Sequence, residues 1–456
     1  MLYVYVCLLD IKNFKEPAHI LIPAQPYYKT NSDPTVSYSV GPCTCILSIS
    51  DYHLISGHLN GWIVIWSLEK YRSLCQWIGH NGCQLTSLHF WPRNNPGGTL
   101  ISHGRDGFIR FWDLNTLQFD TTKLFIPLNQ VFSEIETYDV SFCNSDLWPA
   151  LSGSTDVYFL AHLCQEDRDD SSGTNIKEPT IEVIQLPQFT FICHQSIVAI
   201  QTSCKNVTNL GMCMTLQGID KTVYHVNQVH CLLLAGFESG HLILLGDGKV
   251  LSVLESPIGQ SIPIMTLSVQ PALYKHIPEE ENSDFIEDVR FIVLGGPSVD
   301  SCDTDPLSFD GNIALIQLEL FTSHVSNQCK LSKIRCKSID NCNAGISCLA
   351  WRNDGCLLAV GQWDGQIRLL QVVQSKSKRF KLNSLGYLTS IGGLNEGSLL
   401  GEWSSTTLTQ PHGPNIDQQS RQIRSCTFTK RSNFLITSVP ASAGALGSLL
   451  VWDVYR

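Results

Sequence analysis

The same succession of apolar and polar positions occurs twice in this chain, 46 residues apart: LISGHLNGWIVIWSL at Leu54–Leu68 and LISHGRDGFIRFWDL at Leu100–Leu114. Each copy runs Leu-Ile-Ser, reaches a polar residue followed by glycine (Asn60-Gly61, Asp106-Gly107), and then leads to Trp66 or Trp112. In the second copy Ile109 and Phe111 alternate with Arg110 and Trp112, the two-residue period of a β-strand. Asp-Gly supplies the positive φ that a tight hairpin turn requires. The pattern therefore predicts a duplicated strand–turn–strand unit.

Weaker copies follow along the chain. Residues 231–245 keep strand, turn and strand around Glu238-Ser239-Gly240, and residues 357–370 keep an Asp364-Gly365 turn. Phe434–Ser438 leads through a longer Gly/Ala/Ser turn to Leu449–Asp453. Preceding strands are expected at Leu85–Phe90, Ile264–Val269, Ile346–Trp351 and Ile423–Phe428. Two further units fill the gaps, one through Tyr138–Phe142, Ala150–Leu163 and Thr180–Leu186, the other through Ile264–Val269, Phe291–Gly295 and Asn312–Leu318. A period in the forties with four short strands is the pattern of a β-propeller. The count gives an all-β propeller of seven four-stranded blades, with eight as the alternative, in a single domain over residues 1–456. Seven bare repeats of about 43 residues each fall short of this length, so long inter-strand insertions are expected.

The last unit ends on its third strand. An open ring would expose sheet edges, so Ala18–Ile22 is expected to supply the fourth strand and close the last blade. The apolar start Met1–Leu9 is the other candidate for that strand, and is too short for a membrane span or a secretory signal.

A hydrophobic content of 43% with 16% charged residues is ample for a large core. The net charge of −10 argues against a protein that chiefly grips nucleic-acid backbone. Eighteen cysteines include no C-x-x-C pair, and Cys43-Thr-Cys45 has a poor zinc spacing. Cys83, Cys143, Cys213, Cys231, Cys348 and Cys426 lie in or beside apolar strands and read as free buried thiols. The chain has no Gly-rich phosphate loop, no G-x-S-x-G elbow and no H-E-x-x-H helix, so no catalytic residue, cofactor or metal site is assigned. His58 and His103 do not occupy matching repeat positions, which speaks against a metal site shared with His80.

Recognition is expected in the insertions. Gln165–Gly173, Pro278–Asp284 and Asp300–Asp310 read as acidic surface loops. Residues 373–422 form the longest irregular stretch, opened by the basic cluster Lys376, Lys378, Arg379 and Lys381. Part of it reads as the fourth strand of the sixth blade and the remainder as a partner-binding arm carrying Leu394 and Leu399–Trp403. The four basic residues and Trp403 are the candidate partner contacts.

Gly79-His80 ahead of the second copy, with Ser102, Asp106 and Trp112 within it, resembles the buried network of the WD-repeat family. The resemblance implies that these four side chains staple one blade together and are structural, since a buried carboxylate is tolerated when fully hydrogen-bonded. The run Ile78–Gly82, the run Ser102-His103-Gly104-Arg105-Asp106, the turn Gly236–Gly240 and the Trp452-Asp453 ending resemble, more narrowly, the fungal ASTRA-associated protein 1 family. That family is similar in turn to the animal G-protein β-subunit-like WD proteins. The resemblance implies a non-catalytic scaffold subunit of the nucleus, with the cytoplasm as a second location. Its partners would be the other protein subunits of an ASTRA-like assembly, linked to chromatin remodelling and to the co-chaperone of phosphatidylinositol-3-kinase-like kinases. Direct nucleic-acid binding, membranes and a small-molecule substrate are not expected.

The alternative is a substrate receptor of a cullin-type ubiquitin ligase, which would carry Trp-Asp-x-Arg. Here Trp112-Asp113 continues Leu-Asn, and after Trp452-Asp453 the arginine comes one place late, at Arg456. A G-protein β subunit would need an N-terminal coiled coil, and Met1–Pro23 has no heptads.

Overall fold

The computed structural model describes residues 18–23, 40–92, 97–114, 131–138, 141–150, 157–169, 175–204, 207–220, 231–259, 261–271, 285–297, 313–322, 327–334, 345–374, 380–389, 422–438 and 447–453. Strand β1 (His19–Leu21) is followed by a first blade of β2 (Cys43–Ser48), β3 (His53–His58), β4 (Trp62–Ser67) and β5 (Arg72–Ile78). Blade 2 is β6 (Leu85–Trp91), β7 (Thr99–Gly104), β8 (Phe108–Asp113) and β9 (Val131–Glu136). Blade 3 is β10 (Asp146–Pro149), β11 (Tyr158–Asp169), β12 (Asn175–Leu186) and β13 (Thr190–Ser196). The short helix α1 (Ile197–Ser203), N-capped by Ser196, leads to blade 4: β14 (Cys213–Ile219), β15 (Leu232–Phe237), β16 (Leu242–Gly246) and β17 (Lys249–Leu254). Blade 5 is β18 (Thr266–Val269), β19 (Phe285–Gly295), β20 (Ile313–Thr322) and β21 (Asn327–Ile334). Blade 6 is β22 (Ile346–Trp351), β23 (Leu358–Gln362), β24 (Gln366–Gln374) and β25 (Phe380–Thr389), and blade 7 holds β26 (Cys426–Phe428), β27 (Phe434–Ser438) and β28 (Leu449–Asp453).

These strands make seven antiparallel sheets of four. The innermost strands β2, β6, β10, β14, β18, β22 and β26 pack side by side in that order, and β26 meets β2, so the sheets form a closed ring. The molecule is a seven-bladed β-propeller. In blade 7 the outer strand is β1, with Ile20 opposite Leu450 and Leu21 opposite Leu449.

The core is divided among the seams between blades. Middle strands such as β4 and β15 are buried at every position, because each presents alternate side chains to the blade on either side. Seven apolar clusters result, one at each seam. At the first seam Trp77 meets Trp112 edge to face, with ring centroids 5.6 Å apart. At the closing seam Leu21, Leu449 and Val451 pack with Leu54, Trp62 and Trp66. There Arg431 also pairs with Asp51 at 2.9 Å.

Two expectations change and a third is met. The first strand of blade 3 is Asp146–Pro149, not Tyr138–Phe142. Phe142, whose alternation with Tyr138 and Val140 suggested a strand, is exposed and lies 4.0 Å below the Arg105 guanidinium. The acidic Gln165–Gly173 is not simply a loop. Pairing continues through Gln165↔Pro179 to Asp169↔Asn175, because a backbone ladder does not require apolar side chains. The stretch 373–422 supplies the expected fourth strand of blade 6, since β25 runs back along β24 with Lys381 opposite Val373. Met1–Leu9, Pro278–Asp284, Asp300–Asp310, Leu394 and Leu399–Trp403 lie outside the described residues.

Ring closure rests on a strand of three residues, so its one fully buried side chain is decisive. Leu21→Ala should cost about 2–5 kcal/mol in urea unfolding through the cavity left between blades 7 and 1. Ile22→Ala, at an exposed position, should change stability by no more than about 0.5 kcal/mol.

Candidate functional site

The duplicated hairpin places its polar residues at one end of blades 1 and 2. In blade 2 the loop ahead of β6 brings His80 against the turn between β7 and β8. Trp112 Nε1 donates to Ser102 Oγ at 2.8 Å, and Ser102 Oγ donates to His80 Nε2 at 2.8 Å. His80 Nδ1 donates to Asp106 Oδ1 at 2.8 Å. The carboxylate only accepts, which assigns the proton to Nδ1 and leaves Nε2 as the acceptor. Arg110 closes the chain from outside, donating through Nη1 to Asp106 Oδ2 at 2.5 Å and through Nε to Glu134 Oε1 at 2.7 Å.

Two glycines make room for this arrangement. A Cβ on Gly104 would lie 2.1 Å from His80 Nδ1, so the strand must be bare where the imidazole stacks. Gly61, at φ +84°, offers its carbonyl to the N–H groups of Gly79 and His80, and a Cβ there would collide with the His80 carbonyl.

Blade 1 builds an equivalent network from different chain positions. Trp66 Nε1 donates to Ser56 Oγ at 2.8 Å, which donates to His58 Nε2 at 2.8 Å. His58 Nδ1 donates to the Gly41 carbonyl at 2.8 Å, and Gly41 N–H donates to Asn60 Oδ1 at 3.1 Å. Superposing the two copies sets His58 on Gly104 and Asn60 on Asp106. The imidazole that blade 2 takes from its incoming loop is thus carried in blade 1 by the strand itself. In blade 7 Trp452 Nε1 donates to Thr437 Oγ1 at 3.0 Å, while Ser438 Oγ accepts from the backbone of Arg424 and Ser425.

Burial sets the charge state of these groups. It pushes His58 down to about 4 and holds His80 below the usual imidazole value despite Asp106. Burial alone would raise Asp106, but the hydrogen bonds from His80 and Arg110 outweigh it and hold the carboxyl below its ordinary range. Neutral imidazoles therefore connect a hydroxyl to a carboxylate or a carbonyl, with each donor matched to an acceptor. Such an array stiffens a blade and offers no activated nucleophile.

The structure thus brings His80, Ser102, Asp106 and Trp112 into one network. Lys376, Lys378, Arg379 and Trp403 lie outside the described residues, and Lys381 is a position on β25. Sequence reading missed His58 and Asn60, although the offset between SGH and SHG in the two copies was the available signal. It also missed a hollow at the end of β10, β14 and β18, lined by Asp146, Asp220 and Gln270. Asp146 accepts from Gly218 N–H at 2.7 Å, and burial pushes its carboxyl up to about 6. Asp220 pairs with the buried Arg290.

Ser102→Ala would leave Trp112 Nε1 and His80 Nε2 buried without partners, and should cost about 1–3 kcal/mol for each in chemical unfolding. Acid should destabilise the ring through its buried imidazoles, His58 and His89 at about 4 and His103 at about 3. Their folded values lie below the unfolded value of about 6.5, so the unfolded state binds more protons and stability falls as pH drops from there toward 4. Unfolding curves between pH 7 and 5 should lose up to about 1.4 kcal/mol per pH unit for each such histidine below that value, and His103→Gln should flatten the slope.

Residues 321–384 match the family model described as the anaphase-promoting complex subunit 4 WD40 domain. The ASTRA-associated protein 1 of Scheffersomyces stipitis is 31% identical over 205 residues, covering 42% of this chain and 39% of that protein. The protein of that name from Komagataella phaffii is 28% identical over 112 residues, 20% of this chain and 26% of its own length. The guanine nucleotide-binding protein subunit beta-like protein 1 of Mus musculus is 25% identical over 210 residues, 45% of this chain and 53% of that protein. The chain thus spans little more than half the length of these relatives at most. Among solved structures, the β-propeller domain of Cps50 (Swd1) from Myceliophteria thermophila matches with a TM-score of 0.52 at 12% identity, covering 92% of this chain and 99% of that one. The U3-55K structure matches at 0.50 with 13% identity, covering 96% and 99%. The ring, its indole–hydroxyl–imidazole networks and these relatives make the chain a WD-repeat β-propeller similar to the ASTRA-associated protein 1 family.

Proposed function

We propose that the chain is a non-catalytic scaffold subunit of a nuclear multiprotein assembly of the ASTRA kind, linked to chromatin remodelling and to the co-chaperone of phosphatidylinositol-3-kinase-like kinases. The observation that carries this reading is the similarity to several ASTRA-associated proteins in a chain that also has the propeller fold. The physical picture supports it. The polar residues of the best repeats are spent on internal hydrogen bonds, and the two carboxylates of the hollow beside β10, β14 and β18 are engaged by Gly218 and Arg290. Recognition then falls to the edges of a stiff ring, where loops and prolonged hairpins meet large protein partners. The basic cluster Lys376, Lys378, Arg379 and Lys381 is the candidate contact for an acidic partner.

Affinity purification of the tagged protein from its native cell extract, followed by mass spectrometry, tests the assignment. Co-chaperone subunits, kinase-like clients or chromatin ATPases are the expected companions. A cullin adaptor in their place would overturn it in favour of a ligase receptor. Replacing the four basic residues with alanine should leave the melting curve unchanged and reduce partner recovery or nuclear retention; unchanged recovery and location would remove them as contacts.

A further inference from the structure

The third strand of blade 3, β12, contains no tryptophan, so it cannot supply the indole that blades 1 and 2 place there. Polar side chains from its three outer strands meet instead on one face. His162 and Cys164 are two residues apart on β11 and so point the same way. Glu182 of β12 stands opposite His162 in the ladder, and His194 of β13 stands opposite Glu182. His162 Nε2 lies 3.1 Å from Glu182 Oε2, and His194 Nδ1 lies 3.2 Å from Glu182 Oε1. His194 Nε2 is 3.6 Å from Glu166 Oε2. One donor atom each from Cys164, Glu182 and His194 lies within 4.8 Å of the other two.

We propose that this cluster is a site for a divalent transition-metal ion of the zinc class, held by Cys164 Sγ, a Glu182 carboxylate oxygen and a His194 ring nitrogen. Bonds of about 2.0–2.3 Å at tetrahedral angles set ligand atoms roughly 3.3–3.8 Å apart. The donor atoms already stand within about an ångström of that spacing, a difference that rotation about side-chain bonds closes. A thiolate, an imidazole and a carboxylate suit zinc, whereas calcium and magnesium call for oxygen alone.

His162, fully buried, holds its Nε2 3.1 Å from Glu182 Oε2 and is a positioning residue, a neighbour that confines the ligating carboxylate. His194 is 42% exposed, so the ion has an entrance and water can take the fourth position. Glu182 and Glu166 place negative charge beside Cys164, and the thiol proton leaves to solvent as the metal–sulfur bond forms. The ion would join β11, β12 and β13 as the indole network joins strands in blades 1 and 2.

The test is a Co²⁺ titration of the full chain after treatment with a chelator, followed by displacement with Zn²⁺. Expected are a thiolate-to-cobalt charge-transfer absorption with tetrahedral d–d bands, and a rise in melting temperature on adding Zn²⁺. Cys164→Ser should abolish the charge-transfer absorption, and His194→Ala should weaken binding by about tenfold or more. Cys356→Ser, at an exposed thiol in blade 6, should change neither. Absence of the charge-transfer absorption from the wild-type chain, or its persistence in Cys164→Ser, would overturn the site. Melting curves without metal identify any variant that fails to fold.

Discussion

The ring depends on a non-covalent joint between segments far apart in the chain. Each blade is a sheet whose middle strands are apolar on both faces, so no blade can be covered until both neighbours are in place. Blade 7 obtains its fourth strand from residues 19–21, and the seam it then forms with blade 1 is as apolar as the others. Three residues of ladder contribute little by themselves. Closure is cooperative because Leu21 enters a cluster that already contains Leu449, Val451, Leu54, Trp62 and Trp66.

Within the ring, the networks of blades 1 and 2 separate what the fold needs from how the sequence provides it. The requirement is a set of matched donors and acceptors running from the indole of the third strand, through a hydroxyl of the second, to the incoming loop. His80 with Asp106 meets it in blade 2, and His58 with Asn60 and the Gly41 backbone meets it in blade 1. Thr437 and Ser438 divide the task in blade 7. Degenerate repeats thus keep their geometry while losing their motif, since a buried donor is satisfied by any acceptor that reaches it.

This explains how much could be read beforehand. The second and third strands of blades 1, 2, 4 and 6 were legible because each carries apolar residues leading to or from a Gly turn, and the closing segment near Ile20 was legible because the last blade needed a fourth strand. The outer strands of blades 2 and 4 were not. Val131–Glu136 alternates between half-buried and exposed and has charged residues at two of its six positions, and Lys249–Leu254, although apolar at four of six, is similarly mixed in burial, so neither stands out as a buried strand does. Tyr138–Phe142 misled for the opposite reason, its alternation ending on an exposed Phe142 held by Arg105. The cluster of Cys164, Glu182 and His194 was invisible because it is assembled by cross-strand register, which no linear spacing encodes.

The insertions take a form that bears on recognition. Strands β11 and β12 have 12 residues each and β19 has 11, against six for β3 and β4. At about 3.3 Å per residue the longest reach roughly 40 Å, twice the span of an ordinary blade strand. Ordering a loop on contact with a partner costs conformational entropy, and a hairpin already held in a ladder has lost that entropy during folding. Glu166 of β11 is carried on such a hairpin and is 41% exposed, and a charge held in a ladder can take part in electrostatic selection of a partner without the ring itself moving.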